Sequence, residues 1–283
     1  MTQTERQNDL IDLIGEAEQG FDHYRGMLVE MQNLYFSVMD GSLKEYLKKR
    51  NKSSLFFNKA QAKMRRVSDS LVKNYFQNDK FVSIEPERED TDDAKDAKAL
   101  QSAIKEELEN IKFFDQMSSG LYKLPYIGTL VTRSYWDDGL MVEDVDIDRF
   151  FFDPEAKSEQ DTGYVVHVVH VTVDDIKRMQ RAGVYNREHS IEELVTDTEL
   201  KGYTRVKLKE IYTKHGDIWK VSTVYDDTYF FRQDVPLKDG LPFNWGGLIR
   251  QLRHIDEDTF VGNYFEPFIA SIKTLQEEYN VRR

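Results

Sequence analysis

Ile127-Gly-Thr-Leu-Val-Thr-Arg-Ser-Tyr-Trp136, then Asp137-Asp138-Gly139, then Leu140-Met-Val-Glu-Asp-Val-Asp-Ile-Asp-Arg-Phe-Phe-Phe152 mark the point where the pattern of the chain changes. Before Pro125, apolar residues recur at three- and four-residue spacing. Beyond it, β-branched and aromatic residues dominate, the composition of strands. Asp137-Asp138-Gly139 has the chemistry of a tight turn, so Ile127 to Trp136 and Leu140 to Phe152 read as a hairpin. Downstream, Tyr164 to Val173, Tyr203 to Lys214, Asp217 to Tyr225 and Thr228 to Gln233 continue as a meander, turning at His215-Gly216 and Asp226-Asp227. Within it Thr172 offers an N-cap hydroxyl to a short helix, Asp174 to Arg181, with Asp175 in its first turn and Gly183 as its stop. Leu241 to Gly247 reads as a Pro/Gly/Trp loop.

Upstream, Leu10, Leu13, Ile14, Ala17, Met27, Leu28, Met31, Leu34 and Tyr35 predict one or two amphipathic helices, with Gly15, Gly20 and Gly26 as weak points. Ser54 to Tyr75 repeats the spacing through Ala60, Met64, Val67 and Leu71, with Ser53 or Ser54 as N-cap. After an extended piece, Phe81 to Ile84, an acidic run opens a third helix striped by Ala99, Leu100, Ile104, Leu108 and Ile111. Acids in its first turns suit the positive end of the helix dipole. Glu266 to Arg283 is helical again and has no Gly or Pro stop, which predicts a truncated chain or one that is part of a longer protein. The expected class is α+β: a helical N-terminal part, 1–120, packed on a mostly antiparallel sheet, 121–260, followed by a helix, 261–283. The boundary is expected near Ser118 to Pro125.

Composition narrows the function. Of 283 residues, 39 are Lys or Arg and 51 are Asp or Glu, a formal net charge of −12, which argues against a simple nucleic-acid coat. With no cysteine there is no disulfide framework, thiolate metal site or cysteine nucleophile. Met1 to Glu18 is acidic and not a signal peptide, and no window approaches the ~20 apolar residues of a membrane span. No phosphate-binding loop, dinucleotide fingerprint or nucleophile elbow is present. The expectation is a protein without catalytic residues, cofactor or metal.

Three features carry enough chemistry to weigh. His167 and His170 resemble a metal pair, but residues three apart on a strand face opposite ways. Asp144, Asp146 and Asp148 alternate, so one strand would hold three carboxylates on one face, either a solvated or intersubunit surface or a divalent-metal site for phosphodiester cleavage. With Glu155 they mimic a calcium loop, yet Arg149 stands where that loop needs glycine. Finally, Lys44 to Arg66 is a basic run. Its Lys48, Lys49, Arg50, Lys52, Arg65 and Arg66 are candidates for contact with DNA or with another subunit, and Phe56-Phe57 for core packing or base stacking. A monomeric nucleic-acid-binding adaptor is the reading that run alone would support.

Several segments, in order, resemble the portal (head-to-tail connector) proteins of tailed bacteriophages. Tyr126-Ile-Gly-Thr-Leu-Val-Thr-Arg-Ser-Tyr-Trp136 is similar to that family's Gly-Thr strand leading to a Trp. Val145-Asp-Ile-Asp-Arg-Phe-Phe-Phe-Asp-Pro-Glu-Ala156 is similar to its Asp-Pro-x-Ala segment, and Tyr164-Val-Val-His167 with the helix at Asp174 follows as it does there. Gly262-Asn-Tyr-Phe-Glu-Pro267 and Leu275-Gln-Glu-Glu-Tyr-Asn280 resemble its closing helix, while Arg50 to Ser54 and Val67 to Val82 resemble its N-terminal wing. The resemblance implies a portal wing and the start of a stem helix, in a virion protein whose ring, usually of twelve copies, sits at a capsid vertex. Double-stranded DNA would be packaged and ejected through that ring. Its implied partners are the terminase large subunit, the capsid protein and a tail adaptor, first in the host cytoplasm and then in the virion. It implies no chemistry of its own.

Overall fold

The structure, a computed structural model, describes residues 2–39, 41–50, 58–76, 82–86, 91–136, 139–156, 158–188, 190–194, 202–250 and 263–282. In chain order the helices are α1 (Gln3–Tyr35), α2 (Gly41–Lys49), α3 (Lys59–Phe76), α4 (Thr91–Asn110), α5 (Phe113–Ile127), α6 (Val173–Arg181), α7 (Ile191–Leu194) and α8 (Lys273–Arg282). The strands are β1 (Thr129–Trp136), β2 (Leu140–Val145), β3 (Phe150–Phe152), β4 (Tyr164–Thr172), β5 (Arg205–His215), β6 (Ile218–Tyr225), β7 (Tyr229–Pro236), β8 (Phe243–Gly247), β9 (Ile249–Arg250) and β10 (Phe265–Glu266). Helices pack against antiparallel sheets, an α+β fold. Two compact units share the chain: Met1–Arg25, Asp146–Leu241 and Arg253–Asn263 form one, and Gly26–Val145, Pro242–Leu252 and Tyr264–Arg283 the other. Both are discontinuous, so they cut across the linear division into 1–120, 121–260 and 261–283. The expected boundary near Ser118 to Pro125 falls inside α5.

The first unit is built on the sheet β3-β4-β5-β6-β7. Strand alternation puts Val206, Leu208, Glu210 and Tyr212 of β5 on one face and Lys209, Ile211 and Thr213 on the other. The first face is closed by α6 and α7, where Val173, Ile176, Tyr185 and Ile191 pack with Val206, Leu208 and Phe231. Thr172 caps α6 as expected: its hydroxyl oxygen accepts the Asp175 N–H at 3.2 Å. The second face meets the first half of α1. There Leu10, Ile14, Ala17, Phe21 and Tyr24 recur at alternating four- and three-residue steps and are all 0–1% exposed. The Phe21 ring lies 5.1 Å from that of Phe151. Between β6 and β7, Asp226 and Asp227 both adopt positive φ, and the Thr228 N–H closes the turn on the Tyr225 carbonyl.

The second unit contains the sheet β2-β1-β8, with α5 packed on β1 and β2. Its helical core joins Met31, Leu34 and Tyr35 of α1 to Ala60 and Met64 of α3 and to Ile269. Tyr126 stacks on Tyr35 with ring centroids 4.2 Å apart. Asn58 organises this corner. Its side-chain oxygen accepts the Gln61 N–H at 2.6 Å, which makes it the N-cap of α3, while its amide donates to the Leu34 and Tyr35 carbonyls that α1 leaves open. The cap expected at Ser53 or Ser54 lies outside the described residues, and α3 begins after it.

Leu10 to Tyr35 lies in one helix, one of the two arrangements expected. Three further expectations are corrected. Leu140 to Phe152 is not one strand: after Val145 the chain turns through a 3-10 segment, Ile147–Arg149, closed by the Arg149 N–H on the Asp146 carbonyl, before β3. Leu241 to Gly247 is not a loop; Phe243–Gly247 pairs antiparallel with β1. The final helix is broken after Pro267 into a 3-10 turn, Phe268–Ile272, and α8. Among the described residues no helix is long and apolar enough to cross a membrane.

Candidate assembly surfaces and buried polar joints

The basic candidates lie on consecutive helices of the second unit. Lys48 and Lys49 end α2, and Arg50 follows with its guanidinium 4.6 Å from the centre of the Tyr46 ring. Leu47 is the buried anchor of that helix. Arg65 and Arg66 are exposed on α3, whose opposite side buries Ala60, Met64 and Ser68. Lys52, Phe56 and Phe57 lie outside the described residues. The helix also exposes Lys59, Lys63 and Lys73, the last beyond the run read from sequence.

The acidic candidates are not brought together as one strand face. Asp144 remains on β2, 14% exposed, and accepts a 2.8 Å hydrogen bond from the Lys123 ammonium of α5. Asp146 has left the strand, and its carbonyl accepts the Arg149 N–H that closes the 3-10 turn. Asp148 is exposed within that turn. The alternation needed for a shared metal ends at Val145, so the phosphodiesterase reading loses the geometry on which it stood. Among the described residues no group of three or more His, Asp or Glu side chains is placed to hold a metal ion. Glu155, the fourth member of the calcium-like spacing, sits in a turn made by Asp153. The carboxylate oxygens of Asp153 accept the Glu155 and Gly163 N–H groups.

His167 and His170 face opposite sides of β4, as the strand period requires. His167 is buried across from Glu210 and His170 is exposed across from Lys207. Desolvation, then the charges of Arg149, Lys207 and Arg205, holds His170 below the ordinary imidazole range.

One polar group was not singled out from sequence. Glu210 is 4% exposed, inside the face that carries Val206 and Leu208. Its two oxygens accept from the Arg232 guanidinium at 2.6 Å and the Tyr212 hydroxyl at 2.8 Å. Arg232 also donates to Thr223 at 2.6 Å, and His167 Nδ1 lies 3.9 Å from the same carboxylate. The sequence carried a signal: Glu210 falls in the inward phase of Val206, Leu208 and Tyr212. An acid in that phase must be partnered.

Other ion pairs tie α1 to its sheet. Arg6 reaches Asp234 with two bonds, at 2.9 and 3.0 Å, and Thr213 and His215 as well. That pairing holds the Asp234 carboxyl below its usual value, while burial and the Arg6 charge lower His215. Burial works against charge on Lys209, but Asp227 and Glu18, each 2.9 Å away, outweigh it and raise the ammonium. Tyr164, desolvated and facing Asp153 and Glu16, is held protonated well above the phenol range.

The segments that carry the portal resemblance are joints of the same kind. In the second unit Gly128 adopts φ +81°, where a Cβ would lie 2.2 Å from the Phe265 carbonyl oxygen. A Cβ on Gly247 would lie 2.3 Å from that of Phe265. Thr129, fully buried, accepts the Phe265 N–H through its hydroxyl at 2.8 Å. Gln276, in the Leu-Gln segment, accepts the Ala60 N–H at 3.0 Å, satisfying a second free donor at the start of α3. A shallow cavity of about 120 Å³ beside it is lined by Lys59, Ala60, Lys63, Ile272, Leu275 and Gln276. In the first unit Asn263 donates to the Thr162 hydroxyl at 2.7 Å, and Ala156 is buried after the Asp153 turn. No protein-family model matches the chain, and no curated protein matches it in sequence.

Proposed function

We propose that this chain is a subunit of a bacteriophage portal: a structural virion protein that forms a homo-oligomeric ring at a capsid vertex. Duplex DNA is packaged and ejected through the ring, and the tail attaches to it. The observation that supports the reading is the use made of the resembling residues. Gly128, Thr129, Asp153, Asn263 and Gln276 bind distant chain segments to one another through backbone groups or buried hydroxyls, rather than converging on a cleft. Such residues specify shape, which is what a repeated wedge in a ring requires. Terminase, capsid protein and tail adaptor are the protein partners on this reading. An overall acidic subunit also fits a channel through which DNA must slide, since repeated negative charge disfavours tight phosphate contact.

The test is particle form. Negative-stain imaging and native mass measurement of the intact protein should show closed rings with an axial opening wide enough for a duplex. Material that stays monomeric at every concentration tried would refute the proposal.

A further inference from the structure

Two exposed helix faces of opposite sign share one spacing. On α1, Glu5, Asp9, Asp12 and Glu16 follow steps of four, three and four, which places them within about 60° of one line down the helix. All four are exposed, and no cation stands on that line. On α3, Lys59, Lys63, Arg66 and Lys73 follow steps of four, three and seven, with Ser70 completing the period; the four cations lie within about 80° of one line. No anion interrupts this stripe: Asp69 flanks it and accepts the Tyr122 hydroxyl at 2.9 Å. Among the described residues, Asp9 and Asp12 on α1 and Lys63, Arg66 and Lys73 on α3 take part in no ion pair, while Glu16 accepts the Tyr164 hydroxyl at 3.3 Å. This contrasts with the inward charges Arg6, Glu18, Lys209 and Asp234, all of which are paired.

We propose that the acidic stripe of α1 in one copy of this chain docks lengthwise on the basic stripe of α3 in the next. At 1.5 Å per residue the acidic ladder is about 16 Å long and the basic one about 21 Å, so three carboxylates can face Lys59, Lys63 and Arg66 in one register, with the fourth opposite Ser70. The occupant is a second copy because each chain carries an exposed stripe of either sign, so a neighbouring copy supplies the complement of both. Each chain carries one stripe of each kind, so the contact is head-to-tail: every copy accepts one neighbour and is accepted by another. This kind of contact propagates and closes when the rotation between copies permits. The inference rests on the ring reading and names the surfaces through which neighbours meet. It replaces the acidic surface expected around Asp144, Asp146 and Asp148, which does not form one strand face.

The experiment is sedimentation velocity of the intact protein at about 0.1 M salt, where exposed charges are only partly screened. One variant carries Lys63→Glu and Arg66→Glu, a second Asp9→Lys and Asp12→Lys, and far-UV circular dichroism checks that both remain folded. Each should assemble at least about tenfold more weakly than the wild type. An equimolar mixture of the two should recover assembly, because each supplies the charge the other lacks; general damage to the fold would not be repaired by mixing. Wild-type rings together with undiminished assembly of either variant would overturn this docking while leaving the ring reading intact. So would a mixture that fails to recover, or a Lys63/Arg66 variant that loses duplex-DNA binding but not assembly. Wild-type protein that never assembles would refute the ring reading, and this inference with it.

Discussion

Replacing Glu210 by alanine should destabilise the unit that carries the five-stranded sheet by about 3 kcal/mol. The carboxylate is buried, with a side-chain exposure of 6%, and it holds Arg232, itself 18% exposed, at 2.6 Å. Removing one partner of a buried ion pair typically costs about 3–5 kcal/mol, because the remaining charge stays desolvated. The partial exposure of Arg232 lets water reach the guanidinium and favours the lower end. Tyr212 loses its acceptor in the same step, which adds a smaller penalty. If this accounting is right, removing the whole cluster should be milder than removing its centre. A Glu210→Leu, Arg232→Met, Tyr212→Phe triple variant should come within about 1 kcal/mol of wild type, since no buried charge remains unpaired. Urea unfolding provides the assay. Trp219 lies on β6 of that sheet, and replacing Trp136 and Trp245 by Phe leaves it as the reporter. A loss below about 1 kcal/mol for Glu210→Ala, or a triple variant less stable than the single one, would refute the reasoning.

Two other perturbations test the joints. Asp234 titrates below its ordinary 3.8 because it is bonded to Arg6. Its stabilisation is therefore complete above that value and is lost as pH falls through the lower folded value. Asp234→Asn should reduce thermal stability at neutral pH by no more than about 1 kcal/mol, given the partial exposure of the pair, and the gap to wild type should close in strong acid. His215 accepts from Arg6 in its neutral form and titrates below 6.5, so acidification below that pH should begin to destabilise both proteins before Asp234 responds. Gly128→Ala should cost at least about 2 kcal/mol through positive φ and contact with Phe265. A drop in melting midpoint smaller than about 4 °C would count against that joint.

How much of this could be read beforehand follows from the range of the forces involved. The alternating four- and three-residue steps of α1, the cap and stop of α6 at Thr172 and Gly183, and the meander β4 to β7 rest on local chemistry: period, turn residues and capping hydroxyls. They were legible for that reason. Helix α5 was missed because Pro125 read as a boundary, whereas the helix runs on to Ile127 and is closed by the Gly128 N–H on the Leu124 carbonyl. Strand β8 was missed because Pro242, Gly246 and Gly247 are poor strand formers in isolation. Gly247 is there to let Phe265 approach, a demand made by a residue distant in sequence. The three alternating aspartates failed as a group because β2 ends at Val145 and the chain turns through Ile147–Arg149, so Asp146 and Asp148 no longer share the strand face of Asp144.

The amino-acid order by itself determined the fold class, the sites of most helices and strands, and the sign and period of the charged stripes on α1 and α3, since each depends on neighbours within a turn or two. Tertiary structure alone decided which charges are consumed internally. Arg6, Lys209 and Glu210 were drawn into pairs by packing, while Asp9 and Asp12 of α1 and Lys63, Arg66 and Lys73 of α3 stayed exposed. Desolvation penalises an unpartnered charge only where the fold has removed water, and where that happens depends on contacts between residues far apart in the chain.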